Sequence, residues 1–268
     1  MDYVVIGGDA RLGWLARLLR QRGESVGALD REPMEGIVPV DARTLAQARI
    51  AVTNCPPKLN GVPMDFEELL SKLPEDARVY TCGPKHPDFD RRVTDLWADE
   101  TLLAENAALT AEGAVAAAMR ASDRAMRDVR CLVIGWGRVG RALTELLVGI
   151  GARVTAVSRS ESGRNRAAER GAEAVPTGEL ARILPNCDLV FNTAPSLVLD
   201  EALLERVNDD ALLIDLASPP YGIDLAAAWR MGLRAWREPA LPGRCCPRSA
   251  AEALLRAIDR HERGEGRG

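Results

Sequence analysis

An α/β architecture of two doubly wound parallel sheets, joined by a long helix and closed by a C-terminal helix that packs back, follows from three observations. Short apolar runs of strand length alternate with helical patterns through both halves of the 268-residue chain. That order builds parallel sheets covered by helices. Glycines at the G-x-G-x-x-G spacing, Gly135, Gly137 and Gly140, stand between one such strand and one such helix. An alanine-rich stretch at 106–126, with high helix propensity and only Gly113 to break it, lies between the halves. The expected division is an N-terminal α/β domain at 1–112, a nucleotide-binding domain at 113–243, and a closing helix with a flexible tail at 244–268.

The first strand is 3–6, and Gly7 and Gly8 turn it into an amphipathic helix carrying Leu12, Leu15, Leu18 and Leu19 and ending at Gly23. A second strand follows at 25–29. This start imitates a nucleotide fold but lacks the third glycine, so no second cofactor is assigned to it. Asp9 and Arg11 fall at the carboxyl end of the first strand, where open α/β sheets bind ligands. Asp9 either caps the helix beside a solvated Arg11, or the two serve a site. Further strands are expected at 49–53 and 78–81, with a helix at 64–73 between them. The loop after the second carries Lys85 and His86, although a lone histidine in a proline-rich loop is more often merely exposed. In the linking helix, glycine at 113 costs ~1 kcal/mol relative to alanine, so close packing or a ligand would explain it. The neighbouring Glu112 is either a carboxylate facing the cleft between domains or a solvated helix residue.

The fingerprint follows the apolar strand 130–134 and precedes a helix at 141–150. Gly135 permits the tight turn, Gly137 lets the backbone approach a pyrophosphate, and Gly140 lets the helix pack on the strand. Trp136, Arg138 and Val139 fill the positions between, where helix-start amides face phosphates. Gly151 ends the helix, and 153–157 is the next strand. An NAD site usually carries Asp or Glu at that strand's end, about 20 residues past the glycines. Here Ser158 and Arg159 stand there, with Arg164 and Arg166 shortly after. A serine with guanidinium groups suits the 2′-phosphate of NADP, with NAD as the alternative. The plainer reading has these arginines solvating a loop. Strands at 172–175, 188–191, 212–215 and 233–236 complete the second sheet. The loops after two of them bring Thr193, Ala194, Pro195 and Ala217 to where ribose and nicotinamide would rest. A stiff turn at 239–243, a closing helix at 247–258 with Arg248 near its start, and a charged, disordered tail after Asp259 end the chain.

Composition narrows the classes. A net charge of −4 with no evident basic face argues against nucleic acid, and no apolar run is long enough to span a membrane. The chain opens on a strand without a signal-type segment. Six cysteines form no C-x-x-C pair, and only two histidines are present, so a metal site is not expected. A reduced cytoplasmic enzyme fits these features.

The sequence resembles the dipicolinate synthase A-subunit family, the dehydrogenase-type subunits of spore-forming bacteria. The resemblance rests on residues 5–11 with their Gly-Gly-Asp-x-Arg pattern, on Asn106 with 110–113, on the fingerprint, and on 192–196, 213–218, Gly222, Asp224 and 241–243. Two departures stand out. The family's Pro-Gly-Leu-Pro-Gly has Ala240 at its second position here, and a later Lys-Thr-Ala-Gly appears as 248–251, with Arg248 keeping the charge and Ala251 replacing the glycine. The resemblance implies oxidation of dihydrodipicolinate, or of its hydrated precursor 4-hydroxytetrahydrodipicolinate, to dipicolinate. It also implies partnership with a flavoprotein B subunit, an oligomeric assembly, and action in the mother cell of a sporulating bacterium. A dicarboxylate calls for cationic clamps. Arg11 and Arg248, converging across the cleft, are the candidates, with Thr110 and Ser218 as further substrate contacts. If water is also lost from C4, Glu112, Asp9 and His86 are the candidate acids or bases, in that order. Two other readings stay open: a different two-domain NADP-dependent oxidoreductase of a small carboxylate, and a nucleotide-binding subunit with no catalysis of its own. A 2-hydroxy acid dehydrogenase with a late catalytic histidine fits poorly, since no histidine lies between His86 and His261.

Overall fold

The computed structural model describes residues 1–29, 34–41, 44–54, 57–59, 62–82 and 92–264. The chain folds as two compact units, the described residues of Met1–Asn106 with Pro242–Gly268, and Ala107–Leu241. The boundary expected at 112/113 lies six residues earlier, and the closing segment is part of the first unit.

In the first unit the strands are β1 (Tyr3–Ile6), β2 (Val26–Leu29), β3 (Val38–Pro39), β4 (Ile50–Asn54), the small hairpin β5 (Lys58–Leu59) and β6 (Val62–Pro63), β7 (Arg78–Cys82) and β8 (Val93–Asp95). The main sheet runs β3-β2-β1-β4-β7-β8, with every pairing parallel. Helix α1 (Ala10–Gln21) turns Leu12, Leu15, Ala16 and Leu19 inward, and α2 (Phe66–Lys72) buries Leu69. Helix α3 spans Glu100–Ala121, not 106–126. It starts early because the Asp99 carboxylate accepts from the Leu102 amide at 2.8 Å, an N-cap the alanine content does not reveal.

In the second unit the strands are β9 (Arg130–Ile134), β10 (Arg153–Val157), β11 (Glu173–Val175), β12 (Leu189–Asn192), β13 (Leu212–Asp215) and β14 (Arg234–Arg237). Their order is β11-β10-β9-β12-β13-β14, again all parallel. Helix α4 (Arg138–Gly149) begins three residues earlier than expected, with Gly137 at its N-cap. Helix α5 (Glu161–Glu169) occupies what reads as an arginine-rich loop. Short helices α6 (Leu180–Ile183), α7 (Glu201–Leu204) and α8 (Leu225–Arg230) cover later connections. In β9 and β12 nearly every side chain is buried, as expected of central strands covered on both faces.

Helix α9 (Leu241–Cys245) replaces the expected stiff turn, and α10 (Pro247–Glu262) runs four residues past 258. The extension is held by bonds the tail's composition hides: Tyr80 donates its hydroxyl to Glu262, Arg78 pairs with the same carboxylate, and Arg260 pairs with Asp99 at 2.7 Å. Ala251, Leu254, Leu255 and Ile258 of α10 join the same apolar core as Leu12, Leu15 and Leu19. Among the described residues no helix is long and apolar enough to cross a membrane.

Candidate functional site

Register sets the site in the second unit. Ile134 pairs with Val157 on one side and Asn192 on the other, so β9, β10 and β12 end at one level. The strand order reverses at β9, the switch point at which open α/β sheets hold ligands. A cavity of about 540 Å³ opens there, within the range usual for small-molecule sites.

Each fingerprint glycine has a geometric reason. Gly135 adopts φ +104°, and a Cβ on it would lie 2.6 Å from Thr193 Oγ1. A Cβ on Gly140 would lie 2.0 Å from the Gly135 carbonyl oxygen, so only glycine lets α4 pack onto the strand end. Gly137 has nothing within 4 Å of its missing Cβ, leaving open space at the helix start. Amide groups and the positive end of a 12-residue helix therefore face the cavity.

At the β10 end the cavity is lined by Ser158, Arg159, Ser160, Arg166 and Thr177. Ser160 caps α5, accepting from the Gly163 amide at 3.1 Å. A Cβ on Gly163 would lie 2.3 Å from Ser158 Oγ, so this glycine lets α5 sit against the serine. Arg164 turns back and donates from Nη1 to the carbonyls of Ser158 at 3.0 Å and Arg159 at 3.1 Å. It braces the loop, while Arg166 lines the cavity. No carboxylate is among the lining residues.

At the β12 end Thr193 Oγ1 donates to the Ile134 carbonyl at 2.9 Å. Behind it lies a buried clamp made from residues that carry the family resemblance, in a role the sequence does not reveal. Asp215, 1% exposed, accepts from Asn192 Nδ2 at 2.8 Å and from the amides of Ala217, Gly222 and Ile223 at 3.0–3.2 Å. Asn192 in turn donates to the Ala194 carbonyl and accepts from its amide. One carboxylate thus fixes both loops at this end of the sheet. A Cβ on Gly222 would lie 2.1 Å from Asn192 Nδ2, which ties that glycine to the clamp.

Of the expected cofactor residues, the cavity gathers Gly135, Trp136, Gly137, Ser158, Arg159, Arg166, Thr193, Ala194 and Pro195, and adds Ser160, Thr177, Ser196 and Val198. Arg138, Val139, Gly140, Arg164 and Ala217 are not on its wall. Gly140 and Arg164 act behind it, through packing and through the bonds just described.

In the first unit Asp9 caps α1, accepting from the Arg11 amide at 2.9 Å. Its carboxylate also takes Arg11 Nε at 2.9 Å and Nη2 at 2.8 Å. Arg11 is only 16% exposed and lies 6.0 Å over the Trp97 ring, so it is held, not solvated. A Cβ on Gly243 would lie 2.6 Å from Asp9 Oδ2. Arg248 is exposed, pairs with Glu252 at 3.0 Å, and sits 5.8 Å over the Trp14 ring. Arg11 and Arg248 both belong to the first unit, so they do not come from different domains. Glu112 and Ser218 are exposed, and Thr110 is half-buried. Lys85 and His86 lie outside the described residues. Sequence reasoning passed over Asp95, which accepts from the Trp97 amide at 2.9 Å through Oδ1 and keeps Oδ2 buried without a partner among the described residues. Its strand, β8, is too short to read from periodicity.

A parallel sheet with a glycine fingerprint, open space at the helix start and a cavity at the switch point is the arrangement of a nicotinamide-nucleotide-dependent oxidoreductase domain. Residues 100–219 match the NAD-binding domain of the D-isomer specific 2-hydroxyacid dehydrogenases. Within that class, the chain resembles the A subunit of dipicolinate synthase. It is 29% identical to that protein of Bacillus subtilis (strain 168) over 170 residues, 63% of this chain and 57% of the relative, so the match spans little more than half the relative's length. The crystal structure of the dipicolinate synthase A subunit from Bacillus halodurans superposes with a TM-score of 0.82 at 25% identity, covering 97% of each chain. The corresponding dipicolinate synthase chain from Bacillus subtilis shares the fold, with a TM-score of 0.83 at 22% identity over 99% of this chain and 96% of that one.

Proposed function

We propose that this chain oxidises dihydrodipicolinate, or its hydrated precursor 4-hydroxytetrahydrodipicolinate, to dipicolinate with NADP as hydride acceptor, in a sporulating cell and beside a flavoprotein B subunit. The observation that carries the cofactor choice is the β10 end of the cavity, where two arginines and a buried serine stand and no carboxylate does. A carboxylate there would pair with ribose hydroxyls and repel a 2′-phosphate, whereas guanidinium groups attract it. Arg159 and Arg166 are therefore the phosphate readers, and Arg164 holds the loop that presents them. The substrate class rests on the likeness to the dipicolinate synthase A subunit.

When bound, the nicotinamide accepts a hydride, and formation of the aromatic pyridine ring drives the step. The chain's own work is binding and orientation. Helix α4 and the Gly137 backbone would hold the pyrophosphate, and the Asn192–Asp215 clamp fixes the loops that would receive the ribose and nicotinamide. Arg11, oriented by Asp9 and the Trp97 ring, is the carboxylate clamp of the substrate, with Arg248 as a further contact from the same unit. Because Arg11 already carries Asp9 as partner, an incoming carboxylate shares a guanidinium whose geometry is preset. For loss of water from C4 the acid or base is drawn from Asp9, Glu112 and His86.

The deciding experiment follows nicotinamide absorbance with the lysine-pathway precursor, with and without the neighbouring flavoprotein. NADPH formation together with dipicolinate supports the proposal, and cofactor binding without hydride transfer under either condition overturns it. Arg11→Ala should raise the substrate KM at least tenfold while leaving the NADPH Kd unchanged, about 1.4 kcal/mol of lost ground-state binding. An unaltered KM removes Arg11 from the site.

A further inference from the structure

We infer that the Arg237 guanidinium, held over the Tyr221 ring, binds one carboxylate of the substrate and so selects a diacid. This rests on the dipicolinate reading of the chain and deepens it.

Arg237 pairs in register with Asp215, so it ends β14 level with the buried clamp, at the carboxyl edge where open α/β sheets take their ligands. The residue is exposed. Its guanidinium carbon lies 3.8 Å from the centre of the Tyr221 ring, and among the described residues it has no carboxylate or carbonyl partner. Other arginines of this unit do. Arg130 pairs with Asp188, Arg170 with Glu145 and Arg230 with Glu201. The neighbouring Glu238 accepts from Trp236 Nε1 at 3.0 Å instead. A guanidinium lying over an aromatic ring keeps its edge free, and that edge carries the planar fork of donors that fits a carboxylate.

Tyr221 holds its place in a backbone shape that tyrosine does not favour. Its φ of 70° is in the left-handed region, which glycine occupies freely. The Tyr221 amide closes the turn by donating to the Ser218 carbonyl at 3.0 Å. Next in the chain, the Gly222 carbonyl accepts from the Val198 amide at 2.9 Å, and a Cβ on Gly222 would lie 2.7 Å from the Ala194 carbonyl. Val198 and Ala194 both line the cavity. The Tyr221–Arg237 pair thus stands one residue beyond the cavity wall, across β9 from Arg159. With a phosphorylated ribose at Arg159, the nicotinamide and the substrate beside it fall on the side of Arg237.

The test is calorimetry on the full chain loaded with NADPH. Dipicolinate is the diacid probe, and picolinate, with one carboxylate fewer, is its control. Arg237→Gln should raise the dipicolinate Kd about tenfold, the value of a hydrogen bond to a charged group, and move the picolinate Kd by less than about twofold. The NADPH Kd should not change. Should Arg237→Gln fail to fold, Arg237→Lys carries the test, because it keeps the charge, loses the fork and should narrow the advantage of dipicolinate over picolinate. An undiminished advantage in a folded variant overturns the inference and leaves the proposed function standing. Equal weakening of both acids does the same, since it marks a structural role, and so does equal affinity of the unaltered chain for the two. Failure of the unaltered chain to bind either acid overturns the proposed function and this inference together.

Discussion

Ala240 has a φ of +54°, in the left-handed region that favours glycine. The resemblance identifies this as a position where related chains carry glycine, so the alanine meets a backbone shape it does not favour. Holding an L-residue there costs about 1–2 kcal/mol, against which glycine loses up to about 1 kcal/mol through its freer unfolded state. Ala240→Gly should therefore stabilise the protein by a few tenths to about 1 kcal/mol in denaturant titrations. A loss would show that the methyl group packs usefully. A second residue-scale prediction concerns acid. Arg130 hydrogen-bonds the Asp188 carboxylate through its backbone and side chain at 2.8–3.1 Å, and Arg124 adds a pair at 3.1 Å. These hold Asp188 down to about 2, from an ordinary 3.8. A lowered carboxylate contributes stability above its unfolded value and loses it as pH falls toward the folded one. The loss should fall between pH 4 and 2 and amount to about 1–2 kcal/mol after solvent screening of the half-exposed arginines. Asp188→Asn should flatten that part of the stability–pH curve. The arginines after β10 show what residue types alone leave open. Sequence marks Arg164 and Arg166 equally, but two residues apart on a helix is about 200° of rotation, so only one can face the cavity. Helix α5 was not legible because 161–169 is polar nearly throughout, with only Gly163 and Ala167 buried.

At the scale of elements, the fingerprint was the easiest part to read. Gly135 and Gly140 answer to contacts between β9, α4 and the β12 loop, and Gly137 to open space at the helix start. The Asp215 clamp was harder, because a buried aspartate at a strand end looks like any other until its four donors are placed around it. Asp215→Ala would leave the amides of Ala217, Gly222 and Ile223 without their acceptor and Asn192 Nδ2 with only the Ala194 carbonyl, and should lower stability by about 2–4 kcal/mol. Gly222→Ala should act through the same clamp by pushing Asn192 aside. Double-mutant analysis of Asn192→Ala with Gly222→Ala should then show clear non-additivity, and simple addition of the two losses would place the alanine's effect elsewhere. Helix limits were misread wherever a capping or pairing residue lay outside the compositional signal, as Asp99 does for α3 and Glu262 for α10.

For the whole molecule, two parallel α/β sheets were legible from alternation and periodicity, but the allegiance of the last helix was not. No pattern in 247–262 says which sheet it covers. Packing puts it on α1, where Leu254, Leu255 and Ile258 are buried. Each such side chain contributes about 1.5–3 kcal/mol by burial. A chain ending at Cys246 should therefore lose the cooperative melting of the first unit and retain that of the second, resolved by hydrogen exchange unit by unit. Equal loss in both would show that they fold only together.

The second unit is one uninterrupted segment, whereas the first is stitched from both ends of the chain. A ribosome thus completes the nucleotide half while the amino-terminal half still waits, its α1 stripe bare, for the final helix to be made. Until α10 is made, that stripe is open to chaperones and to premature association, and any nonsense codon upstream of α10 leaves it so permanently.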